Sequence, residues 1–74
     1  MTSPEEIRTR IEAALPGARV EVADTTGGGD HFEVRVTAPA FAGRTLVEQH
    51  QLVYGALGNL MPDIHALSLR TMVP

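Results

Sequence analysis

Three histidines, His31, His50 and His65, are the side chains best suited to hold a metal or move a proton. They lie 19 and 15 residues apart, which matches no local ligand motif such as the i, i+4 pair of a zinc-binding helix. His50 falls on the apolar stripe of a predicted helix, where a core histidine with one satisfied nitrogen is the ordinary outcome. His65 opens the last predicted strand just after Pro62-Asp63, at a position where a ligand or catalytic role competes with a solvated one. His31 sits at a loop edge on the outward face of a strand and reads as solvated. Gly27-Gly28-Gly29 could present backbone N–H groups to an anion. It joins two strands rather than a strand and a helix, so it is neither a P-loop nor a dinucleotide fingerprint, and a flexible hairpin loop is the simpler reading. Ser68 has no histidine placed to make it a nucleophile and reads as a strand serine. No constellation here makes a self-contained active site.

The elements that must position these residues follow from periodicity. Ser3, Pro4, Glu5 and Glu6 form a helix start, with Ser3 as cap, Pro4 at the first helical position and Glu6 at the capping-box position. Ile7, Ile11, Ala14 and Leu15 then make one helical stripe, and Pro16-Gly17 ends it. From Ala18 to Asp24 and again from His31 to Thr37 the period is two, with Val20, Val22, Phe32, Val34 and Val36 inward. Thr25 to Asp30 has turn composition, so these strands are predicted to form an antiparallel hairpin. Setting Glu21 opposite Arg35 and Val22 opposite Val34 avoids the like-charge pairs that the neighbouring register creates. Thr45 and Glu48 make a second capping box, and Leu46, His50, Val53, Leu57 and Leu60 mark the inward stripe of a helix that Pro62 terminates. Ile64 to Met72 alternates again, with His65, Leu67 and Leu69 on one face and Ala66, Ser68 and Arg70 on the other. Met61 and Met72 read as core filler, and Met1 as the initiator.

The predicted fold class is α+β. One αββαβ domain over residues 1–74 carries a three-stranded mixed sheet with both helices on one face, the last strand running parallel to a hairpin strand after a crossover. A chain of 74 residues holds only one core. Zero cysteines exclude disulfides, thiol catalysis and a cluster held by the chain's own thiolates. All six basic residues are Arg and the net charge is -3, a balance that argues against strong nucleic-acid binding. No apolar run approaches the ~20 residues of a membrane span, and the N-terminus does not read as a secretory signal, so the expected location is cytoplasmic.

Several segments resemble the BolA-like family in order and spacing. They are Gly28-Gly29-Asp30-His31-Phe32, Phe41-Ala42-Gly43-Arg44, Leu46 to Tyr54, and Ile64-His65-Ala66-Leu67-Ser68-Leu69. The resemblance implies a shape related to the class II KH fold, without the GxxG clamp of RNA-binding KH domains. It also implies a partner of monothiol glutaredoxins that shares a glutathione-bound [2Fe–2S] cluster, with the family's histidine ligand falling on His65. An imidazole replacing a thiolate removes negative charge from the cluster and raises its potential. Members usually supply a second ligand, Cys or His, from the loop between the first two strands. The corresponding stretch here is Gly27-Gly28-Gly29-Asp30, with His31 the nearest imidazole and Asp30 a harder, less suitable donor. Other members are described as DNA-binding regulators with basic residues around the helix histidine, where this chain has Gln49-His50-Gln51.

The expected function is therefore a non-enzymatic partner protein in iron–sulfur cluster sharing, trafficking or iron sensing. His65 is the first expected ligand and His31 the second. Gly28, Gly29, Asp30 and Arg70 are expected on the glutaredoxin-facing surface. A nucleic-acid-binding transcriptional regulator is the alternative, and the sequence leaves open a weak homodimer.

Overall fold

The structure, a computed structural model, describes residues 2–74, so Met1 and its reading as initiator lie outside the described residues. Helix α1 spans Pro4–Ala14. The Ser3 hydroxyl accepts from the Glu6 N–H at 3.1 Å, as its capping role requires. Leu15 closes the helix, and Gly17 takes a left-handed turn at φ 78°, which glycine adopts without a Cβ clash. Ile7, Ile11 and Leu15 are buried, whereas Ala14, expected on the same stripe, is exposed at the helix end.

Strands β1 (Arg19–Asp24) and β2 (His31–Thr37) pair antiparallel with Glu21 opposite Arg35 and Val22 opposite Val34, the predicted register. Strand β3 (Ala66–Met72) runs parallel to β2, and the sheet order is β1-β2-β3. Strand β2 is thus the centre of the sheet and buries Phe32, Val34 and Val36 almost completely. After β2 a 3-10 turn over Pro39–Phe41 drives the Phe41 ring into the core.

Helix α2 spans Leu46–Leu57 and opens on a complete capping box. The Thr45 hydroxyl accepts from the Glu48 N–H at 3.2 Å, while the Glu48 carboxylate accepts from the Thr45 N–H at 2.8 Å. That backbone hydrogen bond, the hydroxyl of Thr45 and the nearby Arg44 hold the Glu48 carboxyl below its usual value. Past Leu57 the chain stays helical as a 3-10 segment, Gly58–Asp63, with Pro62 inside it. Proline ends the α-helical hydrogen bonding as expected, but its fixed φ is compatible with 3-10 geometry, so the turn continues. Leu60 is buried from this segment rather than from α2.

Val53 and Leu57 face the core as predicted, but two further burial assignments fail besides Ala14. Leu46 is 62% exposed, because it sits in the first turn of α2 where the helix reaches the rim of the sheet. Met72 is 45% exposed on the outward face of β3 and fills no core space. Met61 does pack against the core.

Phe41→Ala is expected to cost about 3–5 kcal/mol in urea unfolding, a large share of the roughly 4–11 kcal/mol that 74 residues supply. Thr45→Ala should cost about 1 kcal/mol. The lowered Glu48 value means the unfolded chain takes up this proton first. Its contribution is present above about pH 4.5 and fades as pH falls through the folded-state value, so Glu48→Gln should flatten that limb of a melting temperature–pH curve.

Candidate functional site

The hairpin loop is organised by a side chain at its base. The Asp24 carboxylate accepts from three loop N–H groups, those of Thr26 at 3.3 Å, Gly27 at 2.9 Å and Gly29 at 2.9 Å. The anion that this glycine-rich loop binds is therefore its own Asp24. Gly27 and Gly29 take left-handed φ values of 77° and 76°, which point their N–H groups inward to the carboxylate. Gly29 is buried and its carbonyl accepts from Thr2 at 3.3 Å, so the N-terminal segment closes over the loop. Sequence reading missed Asp24. The signal was available, since an aspartate just before a Thr-Thr-Gly turn is a typical side-chain-to-backbone cap.

This organised loop delivers Asp30 and His31 to the start of β3. The Asp30 carbonyl accepts from both the His65 N–H at 2.7 Å and the Ala66 N–H at 3.0 Å. Because of that clamp, the imidazoles of His31 and His65 lie with ring centroids 5.0 Å apart and planes tilted by 35°. His31 Nε2 is 3.9 Å from Asp30 Oδ2, and both side chains are partly open to solvent. Thirty-four positions separate the two histidines in the chain, yet parallel pairing of β2 with β3 makes them neighbours.

Among the described residues no three His, Asp, Glu or Cys side chains form a metal-binding group. The corner therefore offers a pair of nitrogen donors and, among the described residues, no complete metal site. Gly28 and Asp30 lie on the exposed side of the same corner, while Gly29 turns inward. Arg70 stands apart, five residues along β3 and level with Arg35 on the open face of the sheet.

His50 is not at this corner and is not the satisfied core histidine expected of it. It is half-buried, its ring meets Tyr54 edge-on with centroids 6.3 Å apart, and its buried Nε2 has no hydrogen-bond partner. Gln49 beside it is fully engaged. Its amide N–H groups donate to the carbonyls of Phe41 and Arg44, and its Oε1 accepts from the Thr71 hydroxyl at 2.5 Å, tying α2 to β3. No helix among the described residues is long and apolar enough to cross a membrane.

The chain and its fold have known relatives. The family described as BolA-like protein matches residues 7–74. Protein BOLA2 of Arabidopsis thaliana is 38% identical over 71 residues, covering 95% of this chain and 76% of the relative. The structure of a bolA protein homologue from Coxiella burnetii is 45% identical and superposes with a TM-score of 0.82 over 100% of this chain and 94% of that one. The BolA domain of SufE1 from Arabidopsis thaliana is 33% identical with a TM-score of 0.83, covering 96% of this chain and 91% of that one. The likeness spans both helices, the mixed sheet and the loop that joins its first two strands, and this chain belongs to the BolA-like family.

Proposed function

We propose that this protein is a non-enzymatic partner of a monothiol glutaredoxin and shares with it a glutathione-bound [2Fe–2S] cluster. The observation that carries the reading is the His31–His65 pair, two imidazoles 5.0 Å apart at one solvent-open corner. Family membership supports an iron–sulfur-related role, as does the kinship with a BolA domain that forms part of a SufE-like protein.

The donor set fits a shared cluster and does not fit a cluster held by this chain alone. The chain has no cysteine, and its candidate ligands are two imidazoles. The remaining ligands then come from the partner's thiolate and from glutathione. Neutral imidazoles in place of thiolates lower the cluster's negative charge and raise its potential, which favours taking up an electron or releasing the cluster. The chain's own contribution is positioning. Asp24 shapes the loop and the Asp30 carbonyl fixes the His65 backbone, so both rings are held before a partner arrives.

Anaerobic titration into a glutathione-ligated [2Fe–2S] monothiol glutaredoxin, followed by visible circular dichroism, tests this. A new spectrum should grow with wild type and be lost with His65→Ala, while His31→Ala should alter its shape. Asp24→Ala removes neither imidazole but frees three loop N–H groups and loosens the hold on His31, so it should weaken the complex without abolishing the spectrum. An unchanged glutaredoxin spectrum on adding wild type would defeat the cluster-sharing reading. A parallel titration with duplex DNA at low salt separates it from the nucleic-acid alternative.

A further inference from the structure

Strand β3 is an edge strand, and its outer side carries a regular row of free backbone groups. The Ala66 N–H donates to Asp30, and the Met72 carbonyl accepts from Ala38 at 3.1 Å, so both residues turn their polar groups toward β2. Strand alternation then turns the N–H and C=O of Leu67, Leu69 and Thr71 outward. The strand carries one charge, Arg70, and no proline or bulge to blunt it, whereas the other edge, β1, carries Arg19, Glu21 and Asp24.

The side chains on this edge are unfinished as well. No residue of β3 is fully buried, in contrast to Phe32, Val34 and Val36 on β2. Leu67 and Leu69 are only partly covered by the helices. A groove of about 350 Å³ runs between α2 and β3, lined by Leu46, His50, Leu69, Arg70, Thr71 and Met72.

We infer that β3 pairs antiparallel with β3 of a second copy of this chain, centred on Leu69, to make a continuous six-stranded sheet. The register argues for self-pairing. Centring on Leu69 sets Leu69 against itself, Leu67 against Thr71, Ser68 against Arg70 and Ala66 against Met72. All three outward-turned residues then fall in hydrogen-bonded pairs, giving six inter-chain bonds, and no like charges meet. Centring on Arg70 opposes two arginines, and centring on Ser68 keeps only four bonds. Both copies' helices lie on the same side of the joined sheet, so Leu46, Leu67 and Leu69 of each copy cover those of the other. Extended by one residue, this register lays Val73 of the second copy beside His65. Where the glutaredoxin reading holds, homodimer and heterodimer then compete for that corner. Only this consequence rests on that reading.

Sedimentation velocity from about 10 μM to about 1 mM should show a concentration-dependent dimer. Ser68→Arg opposes Arg70 of the second copy at two symmetric positions and should weaken the dimer about tenfold or more. Ser68 is exposed and lies opposite Glu33 in its own sheet, so the fold tolerates the new charge. Adding Arg70→Glu to Ser68→Arg should restore the dimer. Amide exchange in the wild type gives a second readout that needs no variant. The N–H groups of Leu67, Leu69 and Thr71 should become protected as concentration rises. A chain that stays monomeric throughout, a dimer indifferent to Ser68→Arg, or β3 amides unprotected in the dimer would each overturn the proposal. A competition experiment with glutaredoxin can fail without altering any of these results.

Discussion

The central position of β2 is the constraint on which everything else in this molecule rests. A strand with neighbours on both sides must satisfy its backbone twice, antiparallel to β1 and parallel to β3. Its inward residues, Phe32, Val34 and Val36, are also the floor on which both helices pack. A chain this short has no second core to fall back on. The antiparallel side is made locally by a hairpin. The parallel side requires the chain to cross the sheet through α2 and the following 3-10 turn before β3 can be laid down.

That crossover creates the candidate functional corner. Parallel strands begin at the same end of a sheet, so the first residues of β2 and β3 must meet there. The Asp30 carbonyl makes the meeting specific by accepting from two successive N–H groups at the entry to β3. The loop beside it is held in shape by Asp24, whose carboxylate replaces the hydrogen bonds that a glycine-rich turn cannot make within itself. Two imidazoles therefore converge, with no third metal ligand beside them among the described residues.

The same topology leaves the sheet unevenly covered. Helix α1 lies chiefly over β1, and α2 meets it across the core, leaving β3 half-clothed at the rim. Leu46, Val47, Met72 and Val73 stay exposed around it, and His50 keeps a buried nitrogen without a partner. The His31–His65 pair lies at the start of β3 and exposed apolar surface near its end, so one strand borders both the candidate site and the proposed self-association.

Much of this was legible in the chain itself. Period-two and helical periodicities located every major element, the paired charges of Glu21 and Arg35 chose the hairpin register, and Thr45 with Glu48 announced the capping box. These are local signals, carried by residues a few positions apart or joined by one short turn. The errors share a different cause. Leu46, Ala14 and Met72 have the right type and spacing for burial, yet whether a stripe position is covered depends on how far the opposing layer extends. The aspartate-before-turn pattern announces a cap at Asp24, but which loop N–H groups it gathers is set by the fold of the glycines. The sequence by itself determined the elements, the family kinship and the supply of imidazoles. Only the tertiary structure decided that His31 and His65 are neighbours and that His50 is not with them, because parallel pairing is a long-range contact that no local pattern encodes.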